Sequence, residues 1–315
     1  MRIGLTGSHG LIGSALVSAL VESGHEVTAI ERRGSSERRG ADMHQTQSDE
    51  SIPTPFFDPD GGEGDLRALE GYDTLIHLAG APIGEHRWDA RVRSRIYASR
   101  VYGTRSLVEA LKTLEQPPAT LLFASASGIY GDRGSTMLTE ESEPGKGFLA
   151  KVVADWESEA RMGESIAKRV VLLRTGLVLD AKGGLLGRLL PLFKLGLGGR
   201  LATGEQYMSW ITLTDEVRAI QYCLDHETVR GPVNLVAPNP VTNREFTKVL
   251  AGVLGRPAIF TVPAPALELV LGKEMARELA LVSQRITPSV LEASGFSFSS
   301  TQLEEAMRGL IAATR

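Results

Sequence analysis

The alternation of apolar and polar positions in the first thirty residues predicts a strand, a glycine-rich turn, a helix and a second strand. RIGLT is predicted as the first strand, GSHGLIG as the turn and HEVTAI as the second strand. The intervening SALVSALVESG has apolar residues at spacings of three and four, which gives a helix one face to lay on a sheet. Gly24 is expected to end this helix.

Continuous apolar runs farther along the chain predict buried parallel strands with helices between them. The runs are PTPFF, DTLIHLA, ATLLFAS and RVVLLRTG, and helical stretches lie around 90–115 and 148–166. This alternation predicts an α/β fold with a doubly wound parallel sheet and right-handed crossovers. The polar, aperiodic segment 33–52 predicts a long exposed loop.

The regular alternation is lost after residue 180. A Gly/Leu-rich stretch is followed by a short strand at Met208 to Ile211 and by a helix that opens at Thr214. Capping boxes at Thr242 with Glu245 and at Thr301 with Glu304 predict two more helix starts. We therefore predict a core domain over 1–180, to which about 212–237 return, and a small, mainly helical cap over 181–315.

Composition excludes several classes of protein. Hydrophobic residues make up 42% and charged residues 23%, as in ordinary globular chains, and the net charge of −4 lacks the basic excess of a nucleic-acid binder. A single cysteine, Cys223, fits a reducing compartment, and no apolar run is long enough to cross a membrane, so we expect a cytoplasmic protein. The six histidines include no HExxH motif, and no metal site is predicted.

The glycine spacing after the first strand points to a dinucleotide. Gly7 permits a tight turn, Gly10 lets the backbone approach a pyrophosphate, and Gly13 lets helix pack closely on strand. Backbone N–H groups and the positive end of the helix dipole would then face the anion. Predicted contacts on the same loop include Ser8, His9, Leu11 and Ile12. The loop ends without the Lys of a P-loop, which excludes that class of phosphate site.

The end of the second strand carries two conflicting signals about which dinucleotide binds. Glu31 could accept both ribose hydroxyls of NAD(H), whereas Arg32 and Arg33 could bind the 2′-phosphate of NADP(H). Two guanidinium groups would outweigh one carboxylate in an exposed site. We expect NADP(H), with NAD(H) as the alternative.

Four segments in order, TGSHGLIG, HLAGAP, SASGIYG and RTGLVL, resemble the extended or atypical branch of the short-chain dehydrogenase/reductase superfamily. HLAGAPIGEHRW, SRVYGTR, GEQYMSWITLTDEVRA and the C-terminal tail resemble more closely the NAD-dependent epimerase/dehydratase-like proteins often labelled cell division inhibitors. This resemblance implies an NADP-binding Rossmann domain and a small C-terminal domain that closes over a cleft.

The resemblance also implies cofactor contacts beyond the glycine loop. Leu78, Ala79 and Gly80 would line the cofactor after the third long strand. Arg100 stands where the superfamily usually has Asn and resembles a cofactor contact of the closer family. Ser125 and Val178 would lie toward the nicotinamide end.

The superfamily's proton-transfer residues are not intact in this chain. Superfamily members use a Tyr, a Lys four residues later that lowers the pKa of the Tyr, and a Ser or Thr that holds the reacting oxygen. Here Lys151 is present, but Gly147 stands in the Tyr position and Ala126 in that of the Ser or Thr. Ser127 and Tyr130 remain as candidates, with Tyr130 as a substitute proton donor. Tyr130 could equally be a packing residue, and Lys151 a solvated helix lysine.

Two pairs of residues are predicted to line a substrate cleft. Arg87 and Trp88 follow the cofactor-lining segment, as an anion clamp and a stacking surface. Met208 and Trp210 are predicted on the other side, with packing between domains as the alternative.

Two functions remain open from the sequence. The first is an NADP(H)-dependent oxidoreductase or epimerase-like enzyme that acts on a small polar carbonyl or alcohol, such as a sugar derivative. The second is a catalytically degenerate sensor or regulatory protein that keeps the dinucleotide site. Analogy with the superfamily is compatible with a homodimer formed through two helices that flank the sheet.

Overall fold

A computed structural model describes residues 1–31, 56–58 and 63–314. The predicted loop over 33–52 and the predicted contacts Arg32 and Arg33 lie outside these residues. No helix in the described ranges is long and apolar enough to cross a membrane. The strands are β1 (Arg2–Thr6), β2 (Glu26–Ile30), β3 (Phe56–Asp58), β4 (Glu63–Asp65), β5 (Thr74–His77), β6 (Thr120–Ala126), β7 (Met137–Leu138), β8 (Arg169–Thr175), β9 (Leu177–Leu179), β10 (Gly199–Leu201), β11 (Tyr207–Met208), β12 (Trp210–Thr212), β13 (Gly231–Leu235), β14 (Val241–Thr242), β15 (Phe260–Val262) and β16 (Arg285–Ile286).

The helices follow the predicted pattern, with short 3₁₀ turns and two π-helical turns between them. The α-helices are α1 (Leu11–Glu22), α2 (Ala90–Tyr97), α3 (Gly103–Leu111), α4 (Phe148–Arg161), α5 (Gly184–Lys194), α6 (Leu213–Asp225), α7 (Asn243–Leu254), α8 (Ala264–Leu271), α9 (Lys273–Met275), α10 (Ser289–Ser294) and α11 (Leu303–Ala312). The π-helical turns span Ala98–Tyr102 and Ala276–Ala280.

Six strands form the central sheet in the order β2-β1-β5-β6-β8-β13. In register, Ile3 of β1 pairs in parallel with Val27 on one side and with Thr74 on the other. The predicted doubly wound parallel sheet is therefore confirmed. The chain adds β2 on one side of β1 and then crosses to place β5 on the other side. The strand order thus reverses between β1 and β5, and open α/β sheets bind ligands at the carboxyl ends of strands at such a point.

One predicted strand of the central sheet is placed elsewhere. Phe56–Asp58, at the end of the PTPFF run, pairs antiparallel with Glu63–Asp65 in a separate two-stranded sheet. Phe57 is nevertheless buried in the core of the first compact unit. The apolar run was a sign of burial and not of membership in the parallel sheet.

The chain divides into two compact units, each assembled from separated segments. The first unit comprises 1–83, 93–124 and 155–172, and its apolar core includes Leu75, Leu107 and Leu121. The second comprises 84–92, 125–154 and 173–315. One core of the second unit surrounds Trp210 and Phe246, and another contains Ile129 and Tyr130. The predicted domain boundary at residue 180 stays a prediction.

The C-terminal region is helical, as predicted, but its helix starts match the sequence signals unevenly. The Thr242 hydroxyl caps α7 by accepting from the Glu245 amide at 3.2 Å, which confirms that start. A helix also follows the Thr301 signal, but its N-cap residue is Gln302, and no side chain of the described residues caps α11. The helix predicted to open at Thr214 begins one residue earlier, with Thr212 as its cap.

Asp215, in the first turn of α6, binds the segment at Ser299 and Ser300 in the second unit. Its fully buried carboxylate accepts hydrogen bonds from the amides of Ser299 and Ser300 and from the Ser299 hydroxyl, and it pairs with Arg218 at 2.6 Å. Arg218 also donates to the Ser297 carbonyl at 2.9 Å, so the same turn of α6 contacts this segment twice.

We predict that Asp215→Ala lowers the free energy of unfolding by about 2–3 kcal/mol, because the Ser299 and Ser300 amides and the Arg218 guanidinium lose their charged acceptor. Urea unfolding measures the change. As a control, Glu304→Ala removes an exposed partner of Arg308 and should cost less than about 1 kcal/mol. Equal effects of the two variants would contradict the role of Asp215.

Candidate functional site

The corner between β1 and α1 is packed backbone against backbone. Gly7 has φ +75°, and a Cβ there would lie 2.8 Å from the carbonyl carbon of Leu78 and 2.9 Å from the amide nitrogen of Ala79. A Cβ on Gly13 would lie 2.1 Å from the Gly7 carbonyl oxygen. A side chain at either position would push apart the helix and the two strand ends.

This close packing leaves the N-terminus of α1 suited to an anion. Gly10 is the N-cap residue, no side chain of the described residues caps the helix, and its first turn contains no acidic residue. The amides of residues 11 to 13 have no acceptor within the helix, and the helix dipole adds positive potential. Apart from the Gly7 carbonyl at 3.4 Å, nothing lies within 4 Å of a Cβ built on Gly10. The corner therefore fits the diphosphate of a dinucleotide.

A hydrogen bond joins the carboxyl ends of β1 and β5 beside this corner. The Thr6 hydroxyl and His77 Nδ1 lie 2.7 Å apart, and the ring of His77 is edge-on to the rings of Phe57 and Phe123. Burial lowers the pKa of His77 to about 4, so the imidazole is neutral at pH 7. The Thr6–His77 hydrogen bond holds together the ends of β1 and β5, after which the glycine loop and the Leu78 segment begin.

Arg100 brings an unpaired positive charge to the segment that follows β5. It lies in the π-helical turn between α2 and α3, a rare geometry that is frequent at functional sites. Its Nη1 donates to the Ala81 carbonyl at 2.9 Å, and a Cβ on Gly80 would lie 3.3 Å from its Cζ. Burial lowers its pKa to about 10, so it remains charged at pH 7.

The Arg100 guanidinium lies 5.3 Å from the ring centroid of Trp156. Within the described ranges no carboxylate is within ion-pair distance of this guanidinium. A largely buried cation without an acidic partner is costly unless an anion joins it. Arg100 and the start of α1 therefore both offer positive potential in the first unit.

At the end of β2, Glu31 lies beside the glycine loop. Its Oε1 is 3.6 Å from Nε2 of His9, and both side chains are partly exposed. The sequence predicted both residues as cofactor contacts, and the structure brings them together.

In the second unit, the predicted cleft residues Arg87 and Trp88 gather near the start of α4. The Trp88 ring meets that of Phe148 edge-on, with centroids 5.4 Å apart. Arg87 is exposed, and its Nε lies 3.6 Å from the position that a Cβ on Gly272 would take. Lys151, on the first turns of the same helix, is exposed as well.

A carboxylate that the sequence analysis missed lies at the same helix start. Oε1 and Oε2 of Glu278 accept from the amides of Phe148 and Leu149 at 2.8 and 2.7 Å. Glu278 also lines a pocket of about 210 Å³ together with Lys146 and Gln284. The residues are 130 positions apart, and no local motif marks their meeting.

Family comparison agrees with this geometry. Residues 3–236 match the model of the NAD dependent epimerase/dehydratase family. The chain belongs to this family. Residues 262–310 match a second model, a domain of unknown function (DUF1731). The resemblance inferred from the sequence is therefore confirmed over both regions.

Relatives in this family match over nearly the whole chain. Epimerase family protein Mb2239 of Mycobacterium bovis is 40% identical over 97% of this chain and 96% of its own. Epimerase family protein YfhF of Bacillus subtilis is 34% identical, with 99% and 98% covered. The crystal structure of human epimerase family protein SDR39U1 (isoform 2) with NADPH has a TM-score of 0.85 at 29% identity, covering 99% of both chains.

Within this family member, the three predicted catalytic residues have different surroundings. Tyr130 is fully buried, and its hydroxyl donates to Asn234 Oδ1 at 2.6 Å and accepts from Arg174 Nη1 at 2.9 Å. Burial raises its pKa. This arrangement favours the packing alternative over a proton donor. Ser127 begins the 3₁₀ turn after β6 and is half-buried. The catalytic roles of Ser127 and Lys151 stay predictions.

The remaining predicted positions divide between surface and core. Trp210 is fully buried in the Phe246 core, and its indole N–H donates to the Asn239 carbonyl at 2.9 Å, which favours the packing alternative. Met208 is half-buried, with its sulfur 3.5 Å from Nδ2 of Asn243. Ser125 is buried near the end of β6, and Val178 is half-buried on β9.

A second buried carboxyl group, Glu216, lies under the end of β8. Its Oε1 accepts from the Thr175 hydroxyl at 2.7 Å, and its Oε2 has no hydrogen-bond partner. Burial raises the pKa of Glu216 to about 8, against the opposing effect of the Thr175 hydrogen bond. At pH 7 the group is therefore mostly protonated, and its sequence position in the first turn of α6 gave no sign of this.

We predict that Tyr130→Phe lowers the free energy of unfolding by about 1–3 kcal/mol, because the buried Asn234 and Arg174 groups lose a partner. Urea unfolding measures the loss. The control, Tyr102→Phe, removes an exposed hydroxyl and should change stability by less than about 0.5 kcal/mol. A Tyr130→Phe protein as stable as the wild type would be incompatible with the observed network.

We also predict that Glu216→Gln becomes more stable than the wild type as the pH rises. The folded protein keeps the Glu216 proton up to about pH 8, whereas an unfolded chain releases it near the ordinary value of 4.5. Wild-type stability therefore falls between these two pH values, and Gln removes that loss. Melting temperatures of both proteins from pH 4.5 to 8 test this, with the exposed Glu305→Gln as control. A constant difference across that range would contradict it.

Proposed function

We propose that this chain binds NADPH and transfers hydride between the dinucleotide and a small polar carbonyl or alcohol, as an oxidoreductase or epimerase-like enzyme. Two positively charged features of the first unit carry the proposal. One is the N-terminus of α1, which has no side-chain cap, and the other is the Arg100 guanidinium, which has no carboxylate partner among the described residues. The NADPH in the human SDR39U1 structure supports the choice of dinucleotide.

The glycine corner of the first unit supports dinucleotide binding. Gly7, Gly10 and Gly13 would hold the diphosphate through backbone amides. Leu78 and Ala79 would line the cofactor, and Arg100 would neutralise part of its charge. When bound, the dinucleotide supplies or accepts the hydride.

The residues at the end of β2 are proposed to determine whether NADPH or NADH binds. We propose that the Arg32 and Arg33 guanidinium groups bind the 2′-phosphate of NADPH, and that Glu31 turns toward His9. NADH would then bind more weakly, since it offers no phosphate to these cations.

Substrate binding is assigned to residues of the second unit. Arg87 and Trp88 are proposed to contact the substrate as a cation and an aromatic surface, and Ser127 and Lys151 to assist at the reacting oxygen. Tyr130 is left out of this set, because its buried hydroxyl is already hydrogen-bonded to Asn234 and Arg174.

The second candidate function is a catalytically degenerate NADPH sensor. Gly147 and Ala126 at the superfamily's Tyr and Ser/Thr positions, together with the buried Tyr130, favour it. The two candidates differ in turnover. An enzyme consumes NADPH with at least one compound of a carbonyl panel, whereas a sensor binds NADPH and consumes none.

We predict that Arg100→Met weakens NADPH binding by about ten- to a hundredfold, as expected for loss of one charge-assisted contact. Isothermal calorimetry measures the dissociation constants. The matched control is Arg95→Met, which removes an exposed guanidinium from α2 and should leave the affinity within about twofold.

Two results would count against this account of the site. Wild-type protein that gives no heat with NADPH or NADH would reject dinucleotide binding itself. Equal affinities of wild type and Arg100→Met, with both proteins folded, would reject the role of Arg100 alone.

A further inference from the structure

Position 147 has no side chain, and the space that a side chain would enter is already filled. Gly147 has φ +114°, and a Cβ there would lie 3.0 Å from Oε1, 3.1 Å from Cδ and 3.2 Å from Oε2 of Glu278. Lys151 stands four residues later on the chain. A carboxylate from the C-terminal region thus occupies the place beside α4 where the superfamily's Tyr side chain would begin.

The Glu278 carboxylate is held in a fixed orientation. Each of its oxygens accepts one amide hydrogen from the first two residues of α4, Phe148 and Leu149. Phe148 and Leu149 open a fourteen-residue helix, so the carboxylate lies at the N-terminal end of α4. Glu278 itself lies in the second π-helical turn, Ala276–Ala280. An ionised carboxylate has about four acceptor positions, so two remain for a ligand.

The carboxylate also lines a pocket with a basic neighbour. The pocket of about 210 Å³ includes Lys146 and Gln284, and Gln284 Nε2 donates to the Gly131 carbonyl at 3.2 Å. Within the ranges that the structure describes, Lys146 has no carboxylate at ion-pair distance. The pocket therefore offers an acceptor and a cation to a small hydroxylated ligand.

We propose that Glu278 is the acid–base group of the reaction, in place of the missing Tyr at position 147. In the oxidative direction the carboxylate takes the proton of the substrate hydroxyl, and the C–H bond breaks with its electron pair as a hydride to NADP⁺, which leaves a carbonyl. In the reductive direction the protonated carboxyl returns that proton to the carbonyl oxygen as the hydride arrives. This inference rests on the proposed function, which supplies the dinucleotide.

A purely structural role for Glu278 gives different expectations. If the carboxylate only caps α4, its replacement lowers stability and changes turnover no more than an equally destabilising substitution does. If it transfers the proton, turnover falls even where the protein is folded and binds NADPH. Glu278→Gln keeps the size of the side chain and removes the exchangeable carboxyl proton. Glu278→Asp keeps the carboxyl group but shortens the side chain by one methylene.

The experiment compares wild type, Glu278→Gln, Glu278→Asp and the control Glu292→Gln, an exposed glutamate on α10. Each protein is measured by thermal unfolding, by calorimetry with NADPH, and by NADPH oxidation with a panel of aldehydes, ketones and open-chain sugars. Carbodiimide coupling with peptide mass spectrometry then reports whether the reactive compound protects the Glu278 carboxyl from modification.

We expect Glu278→Gln to keep the NADPH affinity of the wild type and to lose turnover about a hundredfold or more, the range for loss of a general acid or base. Glu278→Asp should retain more turnover than Glu278→Gln, and Glu292→Gln should match the wild type. The reactive compound should protect Glu278 from carbodiimide in the wild type.

Three outcomes would overturn the inference while leaving NADPH binding intact. These are wild-type turnover in a folded Glu278→Gln protein, unprotected Glu278 in the presence of the reactive compound, and NADPH binding without oxidation by any compound of the panel. The last result favours the sensor. Absence of NADPH binding by the wild type is a separate result, because it rejects the proposed function and not the acid–base assignment alone.

Discussion

The contact between the Gly7 carbonyl and the Cα of Gly13 is the constraint on which the candidate site depends. A single added carbon at Gly13 would lie 2.1 Å from that carbonyl oxygen, so helix and strand end can meet only through bare backbone. The same corner abuts the backbone of Leu78 and Ala79, at the point where the strand order reverses between β1 and β5. Close packing here turns the uncapped start of α1 toward a ligand.

Binding and chemistry place different demands on the sequence. In the proposed binding mode, the first unit would hold the diphosphate mainly with backbone amides and one buried guanidinium, and such a backbone site requires glycines. Proton transfer needs a particular side chain at a particular place. In the second unit the family's usual side chains are absent at positions 126 and 147, and the Tyr130 hydroxyl is enclosed by Asn234 and Arg174. A chain can therefore keep its dinucleotide corner while its chemistry moves to another group or is lost.

The parts of the structure that the sequence predicted are those governed by local spacing. The glycine turn, the helix after it and the Thr242 cap each depend on residues within a few positions of one another. The Thr301 signal had the same spacing, and a helix follows it, but Gln302 and not Thr301 is the N-cap residue of α11. Trp210 was predicted to line the cleft together with Met208, on the side opposite Arg87 and Trp88, yet its indole is fully buried.

The groups that the sequence analysis missed are those whose properties come from distant neighbours. Glu216 titrates unusually because it is buried beneath Thr175, 41 positions earlier. Glu278 is held by hydrogen bonds from backbone amides about 130 positions earlier in the chain. Asp215 directly follows the predicted helix start at Thr214, but its bonds to Ser299 and Ser300 come only from the fold. Acidic residues of this kind look alike in sequence and differ only in what the fold packs against them.

A crystal structure of the protein with NADPH tests the central claim most directly. The account predicts diphosphate oxygens within hydrogen-bond distance, about 2.7–3.2 Å, of the amides of residues 11 to 13. It also predicts an anionic group of the ligand against Arg100. NADPH bound elsewhere on the chain, with the start of α1 occupied by water alone, would contradict it.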